Sequence, residues 1–180
     1  MTDKKHTRLS PVAQKFILHW GEMGTRWGIN RTVAQVHALL FISERPLTAE
    51  DIAKILAVAR SNVSTSIREL LGWGIIRVVP ILGDRRQHFE SVKDVWELFQ
   101  IVMKERKKRE IDPTIRVVRE CLDEARKGGA NEVYSLHRFA ELLEFITTMT
   151  ALFEEFQHLS PSAVRGLARL RGGIRKLLPV

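Results

Sequence analysis

Cysteine is nearly absent from this sequence. Cys121 is alone among 180 residues, which excludes a disulfide framework and a cysteine-based zinc site. Proline and glycine are sparing, at 6 and 11, and with 44% hydrophobic and 28% charged residues the collagenous, low-complexity and disordered classes fall away. No stretch approaches the roughly 18 consecutive apolar residues of a membrane-spanning helix. The first eleven residues, MTDKKHTRLSP, lack the apolar segment of a secretory signal, so the expectation is a cytoplasmic protein with no membrane partner. Catalytic signatures are missing too: there is no G-x-S-x-G, Walker A, H-E-x-x-H or G-x-G-x-x-G run. His6, His19, His37, His88, His137 and His158 are scattered without ligand spacing. An enzyme, a metal site and a bound cofactor are therefore not expected.

What is abundant is positive charge. The 29 Lys and Arg against 21 Asp and Glu leave +8, with a pI near 10.1. A polyanion, nucleic acid or an anionic membrane surface, is the first partner to consider. Divided along the chain, residues 1–92 carry +5, 93–127 carry +2, 128–160 carry −4 and 161–180 carry +5. The excess thus sits in two separate regions.

Helical periodicity dominates. A helix over 10–27 opens at Ser10-Pro11, with proline at the first helical position and Phe16, Ile17, Trp20 and Met23 as its apolar stripe. Asn30 can cap a second helix over 31–43. Thr48 to Asp51 has the form of a capping box, with the Thr oxygen accepting from the backbone N–H of Asp51. The segment from Thr48 to Ile76, TAEDIAKILAVARSNVSTSIRELLGWGII, then reads as helix, tight turn at Ala57, second helix, and a stop at Gly74 before a strand.

That second helix, 60–72, divides into two faces. Val63, Ile67, Leu70 and Leu71 point inward. Ser61, Ser64, Thr65 and Arg68 lie opposite, with Asn62 and Arg60 nearby. Short hydroxyls, an amide and long cations are what base edges and phosphates of a major groove require. IIRVVPILGDRRQHFESV follows as a β-hairpin around Gly83-Asp84, a wing over 81–88 with Arg85 and Arg86 placed at its tip to enter a minor groove or hold a phosphate. Asp84 is expected to orient one of these arginines by an ion pair.

The ordered blocks GEMGTRWGINRT, PLTAEDIAKIL, SNVSTSIRELLGWGIIRVV, GDRRQHFES, DVW and ERKKREIDPTI resemble the GbsR branch of the MarR-like winged-helix transcriptional regulators, over about Pro11 to Cys121. The resemblance implies a homodimeric, sequence-specific DNA-binding regulator, usually a repressor, on a pseudo-palindromic double-stranded operator. It places Arg86 at the wing arginine of an Asp-x-Arg pattern and Ser61, Asn62, Ser64 and Thr65 on the recognition face. Ala59 departs from the family, where Ser is common, and leaves this helix without a side-chain cap, a loss of about 1 kcal/mol.

A lone winged helix contacts one half-site, so a dimerisation device is expected in the rest of the chain. Residues 93–110 continue helically with Trp96, Phe99, Val102 and Met103 on one side, and KERKKRE reads as a solvated face. Asp112-Pro113 is read as a cap and restart, with Ile115, Val118, Leu122 and Ala125 as the stripe that follows and Gly128-Gly129 as its stop. In the long helix over 131–158, Phe139, Leu142, Ile146, Met149, Phe153 and Phe156 form a heptad seam, taken as a dimer core together with the N-terminal helix. The basic tail is open to three readings: packing on the acidic helix before it, non-specific DNA contact, or a membrane surface, the last weakened by its glycines.

The fold expected is mainly α: a winged helix-turn-helix with a two-stranded wing and a helical dimerisation region. It divides as 1–29 N-terminal helix, 30–92 DNA-binding domain, 93–160 dimerisation and effector region, and 161–180 tail. Regulators similar to this one sense choline-like cations, which would need an aromatic cage. Trp20, Trp27, Trp96, Phe99 and Tyr134 are the candidates, against the plainer reading that they pack the core. The alternative to a DNA-binding regulator is a protein-interaction module that keeps the winged helix as scaffold and uses helix 131–158 for a partner.

Overall fold

The computed structural model describes residues 9–128 and 132–169. The expectations placed on Gly129, on residue 131, and on Leu170, Arg171, Ile174, Arg175 and Lys176 of the tail lie outside these, as do the side chains of Arg165 and of 167–169. The chain divides into two compact units at Val102–Met103.

In the first unit, α1 (Pro11–Arg26) is capped by Ser10, whose hydroxyl accepts from the Ala13 N–H at 3.2 Å, and α2 (Arg31–Ile42) by Asn30, which accepts from the Thr32 N–H at 2.8 Å. Helix α2 is buried along most of its surface, from Val33 to Leu40, because α1, α4 (Arg60–Trp73) and the sheet all pack on it. The α1–α2 approach depends on two glycines. A Cβ on Gly24 would lie 2.5 Å from the Ala34 Cβ, and one on Gly21 would lie 2.7 Å from the Gln35 side chain.

Between α2 and α4, the two-residue β1 (Leu47–Thr48) leads into α3 (Ala49–Leu56) through a complete capping box. The Thr48 N–H donates to Asp51 Oδ2 at 3.2 Å, and the Asp51 N–H donates to Thr48 Oγ1 at 3.1 Å. Ala57 ends α3 at φ 53°, a left-handed conformation unusual for a residue with a Cβ. The absence of a side-chain cap at Ala59 is as read from sequence, and Gly74 closes α4 at φ 76°. Strands β2 (Ile76–Ile81) and β3 (Asp84–Ser91) form the antiparallel wing. The sheet has a third strand that the two-stranded reading lacks: β1 pairs with β3, Leu47 opposite Phe89 and Thr48 opposite His88, giving the order β1-β3-β2. The core gathers Ile17, Val36, Leu39, Leu40, Ile52, Val63, Leu70, Ile76 and Phe89 beneath α4 and the wing.

Helix α5 (Val95–Arg106) is capped by Asp94, whose carboxylate accepts from the N–H groups of Trp96 and Glu97 at 2.8 and 2.9 Å. The expected cap and restart at Asp112-Pro113 does not occur. The chain stays helical through a π-turn, Lys107–Ile111, into α6 (Asp112–Lys127), with the Asp112 N–H bonded to the Lys107 carbonyl five residues back. A proline ring inside a regular α-helix clashes with the carbonyl four residues earlier, and the wider turn relieves that clash. Asp112 instead binds Lys107 at 2.8 Å and raises the pKa of that ammonium.

In the second unit, Ile115, Val118, Leu122 and Ala125 of α6 are buried against α7 (Val133–His158), and Cys121 is half-buried. Helix α8 (Pro161–Arg169) follows. On α7 the heptad seam splits. Phe139, Ile146 and Phe153, with Leu136 and Leu143, are half-buried, whereas Leu142, Met149 and Phe156, with Phe145 and Leu152, are 44 to 63% exposed. Among the described residues no helix is long and apolar enough to cross a membrane, and no group of three or more His, Cys, Asp or Glu is placed to hold a metal ion.

Candidate nucleic-acid interface

Helix α4 exposes the residues whose chemistry suits a groove. Arg60, Ser61, Asn62, Ser64, Thr65 and Arg68 are all exposed, while Val63, Ser66, Ile67 and Leu70 are buried on the other side. The hydroxyl of Ser66 turns inward and donates to the Asn62 carbonyl at 2.8 Å, so it is not part of the outer face. Leu71, expected to face inward, is 37% exposed. At the C-terminal turn of α4 the inward stripe has drifted toward the wing, because 3.6 residues per turn does not keep i and i+8 on one line.

The wing differs from expectation at its tip. Gly83 adopts φ 84°, and Ile81 pairs with Asp84, so the turn is Leu82–Gly83 and the apex side chain is Leu82. Arg85 and Arg86 start the returning strand. The expected ion pair is present: Arg86 Nε donates to Asp84 Oδ1 at 3.0 Å and its Nη2 donates to Oδ2 at 2.6 Å, while the Arg86 backbone N–H also donates to Oδ1 at 3.0 Å. This bidentate fork fixes the plane of the guanidinium. The Arg86 hydrogen bonds hold the Asp84 carboxyl well below the usual carboxylate range, and Asp84 in turn raises the guanidinium, with smaller attraction from Asp51 and Glu50. His88 backs the pair: its Nδ1 is 3.1 Å from the Arg86 carbonyl and its Nε2 is 3.5 Å from Asp84 Oδ2. On the other strand Arg77 pairs with Glu90 at 2.6 Å.

Four of the eight predicted contact residues, Arg60, Ser64, Arg68 and Arg86, line one groove of about 470 Å³ between α4 and the wing. Ser61, Asn62, Thr65 and Arg85 are exposed outside it. The groove also takes in Gln87, Glu50 and Leu71, none of which was among the predicted site residues. The capping box could have pointed to Glu50 by placing it in the first turn of α3. Gln87 follows only from the pairing register of β3. The Glu50 carboxyl is lowered first by its bond to Lys54, with smaller attraction from Arg60 and Arg86, which sets one negative charge among the cations of the groove.

The aromatic candidates are only partly brought together. Trp20, Trp27 and Phe99 line an apolar cavity of about 300 Å³ in the first unit, joined by Trp73, Met23 and His37, and no carboxylate is among its lining residues. Trp96 is half-buried and does not line it. Tyr134 belongs to the second unit, where it is 77% exposed. Burial, with a further contribution from Lys93, lowers His37 to about 4, so the imidazole facing the cavity is neutral at physiological pH.

Residues 27–87 match the profile of the MarR family. No curated protein matches the chain. Among solved structures, the crystal structure of a transcriptional regulator aligns at 21% identity over 82% of this chain and 96% of its own, with a TM-score of 0.57. The transcriptional regulator Tm0710 from Thermotoga maritima aligns at 16% identity over 82% and 92%, TM-score 0.38. MepR, a transcription regulator of the Staphylococcus aureus multidrug efflux pump MepA, aligns at 14% over 93% of each chain, TM-score 0.36. The first of these shows a shared fold, and the two lower scores add nothing to it. Over residues 27–87 the element order, a helix, a helix-turn-helix and an antiparallel wing, is that of a winged helix, and this segment is the one similar to the MarR family.

Proposed function

We propose that the protein is a sequence-specific DNA-binding regulator of transcription in the GbsR branch of that family, acting as a repressor. The observation that carries the proposal is the exposed polar and cationic face of α4 beside a wing whose arginine is already oriented by Asp84. Helix α4 enters the major groove, where Ser61, Asn62, Ser64 and Thr65 meet base edges and Arg60 and Arg68 reach a guanine edge or a phosphate. The wing lies at the adjacent minor groove, with Arg85 and Arg86 on its sugar–phosphate walls.

The working form is a homodimer on a pseudo-palindromic operator. Support comes from the exposed α7 stripe, Leu142, Phe145, Met149, Leu152 and Phe156, an apolar surface of the kind that marks a protein contact, and from Val12 and Leu18, exposed on α1. The cavity behind Trp20, Trp27, Trp73 and Phe99 supports a small effector. A choline-like cation would find π faces there. Calorimetry with choline and with its uncharged carbon isostere tests the cation: tighter binding of the isostere removes it.

Selection from a random duplex library, followed by salt titration of the preferred site, tests the main reading. One motif should be enriched, and the log–log salt slope should correspond to several neutralised phosphates. No enrichment at physiological salt, with α7 capturing a protein partner in place of a second copy, would favour the interaction-module reading.

A further inference from the structure

The wing ends in an apolar surface that neither the fold nor the ion pairs use. Leu82 is 104% exposed at the apex, Ile81 is 40% exposed beside it, Val78 is 42% exposed on the same strand, and Pro80 is exposed between them. The tip is held rigidly. The loop is only two residues long, Gly83 supplies the positive φ, and Ile81 pairs with Asp84 immediately below it. Pro80, at the irregularity between Val79 and Ile81, has no N–H to offer the ladder and stiffens the strand. Directly behind the apex stand Arg85 and the forked Asp84–Arg86 pair. The molecule therefore presents an exposed leucine on a short, backbone-restrained turn with cations at its base.

An apolar apex gains nothing from phosphates or from the water around them. Beside a recognition helix in the major groove, the apolar surroundings within its reach are the deoxyribose walls of the neighbouring minor groove and the faces of partly unstacked bases. The arginines behind it would then meet the two flanking backbones. Wedges of this kind kink the duplex, and they favour steps that open at little cost in energy, TA and CA/TG above all. We propose that Leu82, backed by Ile81 and Pro80, is a minor-groove wedge that gives this regulator specificity for a deformable pyrimidine–purine step beside the bases read by α4. The proposal rests on the DNA-binding reading above. It adds a contact that carries sequence preference through DNA shape, independent of the hydrogen bonds made by the recognition helix.

The experiment uses the full chain and the duplex enriched from the random library. Dye pairs on the duplex ends report bending, and the step facing the wing is varied among TA, CA and AA. Wild type should bend the DNA and prefer TA over AA. Leu82→Ala, at a site exposed enough not to affect folding, should lose the bend and the step preference, and weaken the preferred site roughly tenfold, the worth of a lost apolar contact of this size. Its salt slope should stay unchanged, because no phosphate contact is removed. Leu82→Lys should steepen the salt slope and also lose the step preference. The wedge is overturned if Leu82→Ala keeps affinity, bend and step preference, or if Leu82→Lys retains the preference. Arg68→Ala separates the two levels. If it weakens binding while Leu82→Ala does not, DNA recognition stands without the wedge; if wild type itself selects no sequence, the DNA-binding reading fails first.

Discussion

Arg86 and Asp84 form a forked, bidentate contact on the exposed surface, and under the proposed function the order of the pair matters for DNA binding. A free arginine on a wing would lose rotamer freedom on meeting DNA, whereas this one is already restrained by a carboxylate that stays ionised. Arg86→Ala should weaken operator binding by one to two orders of magnitude and reduce the salt slope by about one, measured by mobility shift at several salt concentrations. Asp84→Asn keeps the charge on Arg86 but loosens the fork. Its expected signature is weaker binding with an unchanged or steeper salt slope. The depressed carboxyl also has a pH consequence. Its contribution is present above the unfolded value near 3.9 and is lost only as pH falls through the lower folded value, so the pair should hold through about pH 5 to 9. His37 acts in the same direction but in a higher pH window. Its folded value, about 4, lies below the unfolded 6.5, because burial and Lys93 disfavour the charged ring. The unfolded chain takes up this proton first, so stability falls as pH drops from about 6.5 to 4, by a total on the order of 3 kcal/mol. Urea unfolding at pH 7 and 4.5 would show this fall, and His37→Gln should flatten it.

At the scale of elements, close approach and turn geometry decide more than helix propensity. Gly24 lets α1 lie against Ala34 of α2, and the neighbouring atom is a short Cβ with no freedom to move away. Gly24→Ala should therefore destabilise the winged-helix unit by about 1–3 kcal/mol, whereas Gly21→Ala, which meets the flexible Gln35 side chain, should be milder. Ala57 is the converse case. Glycine at its left-handed φ of 53° removes a strain of roughly 1–2 kcal/mol against a loss of about 0.5–1 kcal/mol through unfolded-state entropy, so Ala57→Gly should raise the melting temperature slightly. The caps at Ser10, Asn30 and Thr48 were legible because each is a contact between residues two or three apart. The π-turn before Pro113 and the pairing of β1 with β3 were not. The first is a compromise between a proline and a helix whose tertiary packing keeps it going, and the second joins residues about forty apart whose local pattern is too short to show a strand.

For the whole molecule, the reading turns on which apolar surfaces remain open. A strict heptad over α7 could serve an intramolecular partner, an intermolecular one, or both. Its residues divide between a half-buried set centred on Ile146 and an exposed set centred on Met149. The exposed set is the dimer surface under the proposed function. Met149→Glu combined with Phe156→Glu should leave the helical content intact by circular dichroism yet yield monomer in sedimentation equilibrium. Operator affinity should fall roughly 10²–10⁴-fold, because a dimer binds its second half-site intramolecularly. An unchanged dimer would move the interface away from α7. The single-residue substitutions on α4 and the wing act on a different surface and should leave the sedimentation behaviour untouched.

Local chemistry was written in the sequence: the two-faced α4, the capping box, the Gly74 stop, the Asp-x-Arg fork and the apolar heptads. Each depends on periodicity or on contacts a few residues apart, and those interactions survive without knowledge of the fold. Tertiary structure alone decided the rest. It moved the arginines off the wing tip and put Leu82 there, gathered Glu50 and Gln87 into the groove with Arg60 and Arg68, joined Trp73 to Trp20, Trp27 and Phe99 around one cavity, and separated the two halves of the α7 seam. The physical reason is common to all four. Which side chains meet, and which stay exposed, depends on strand register and helix packing between distant segments, and these are set by burial of the whole core, not by any short stretch of chain.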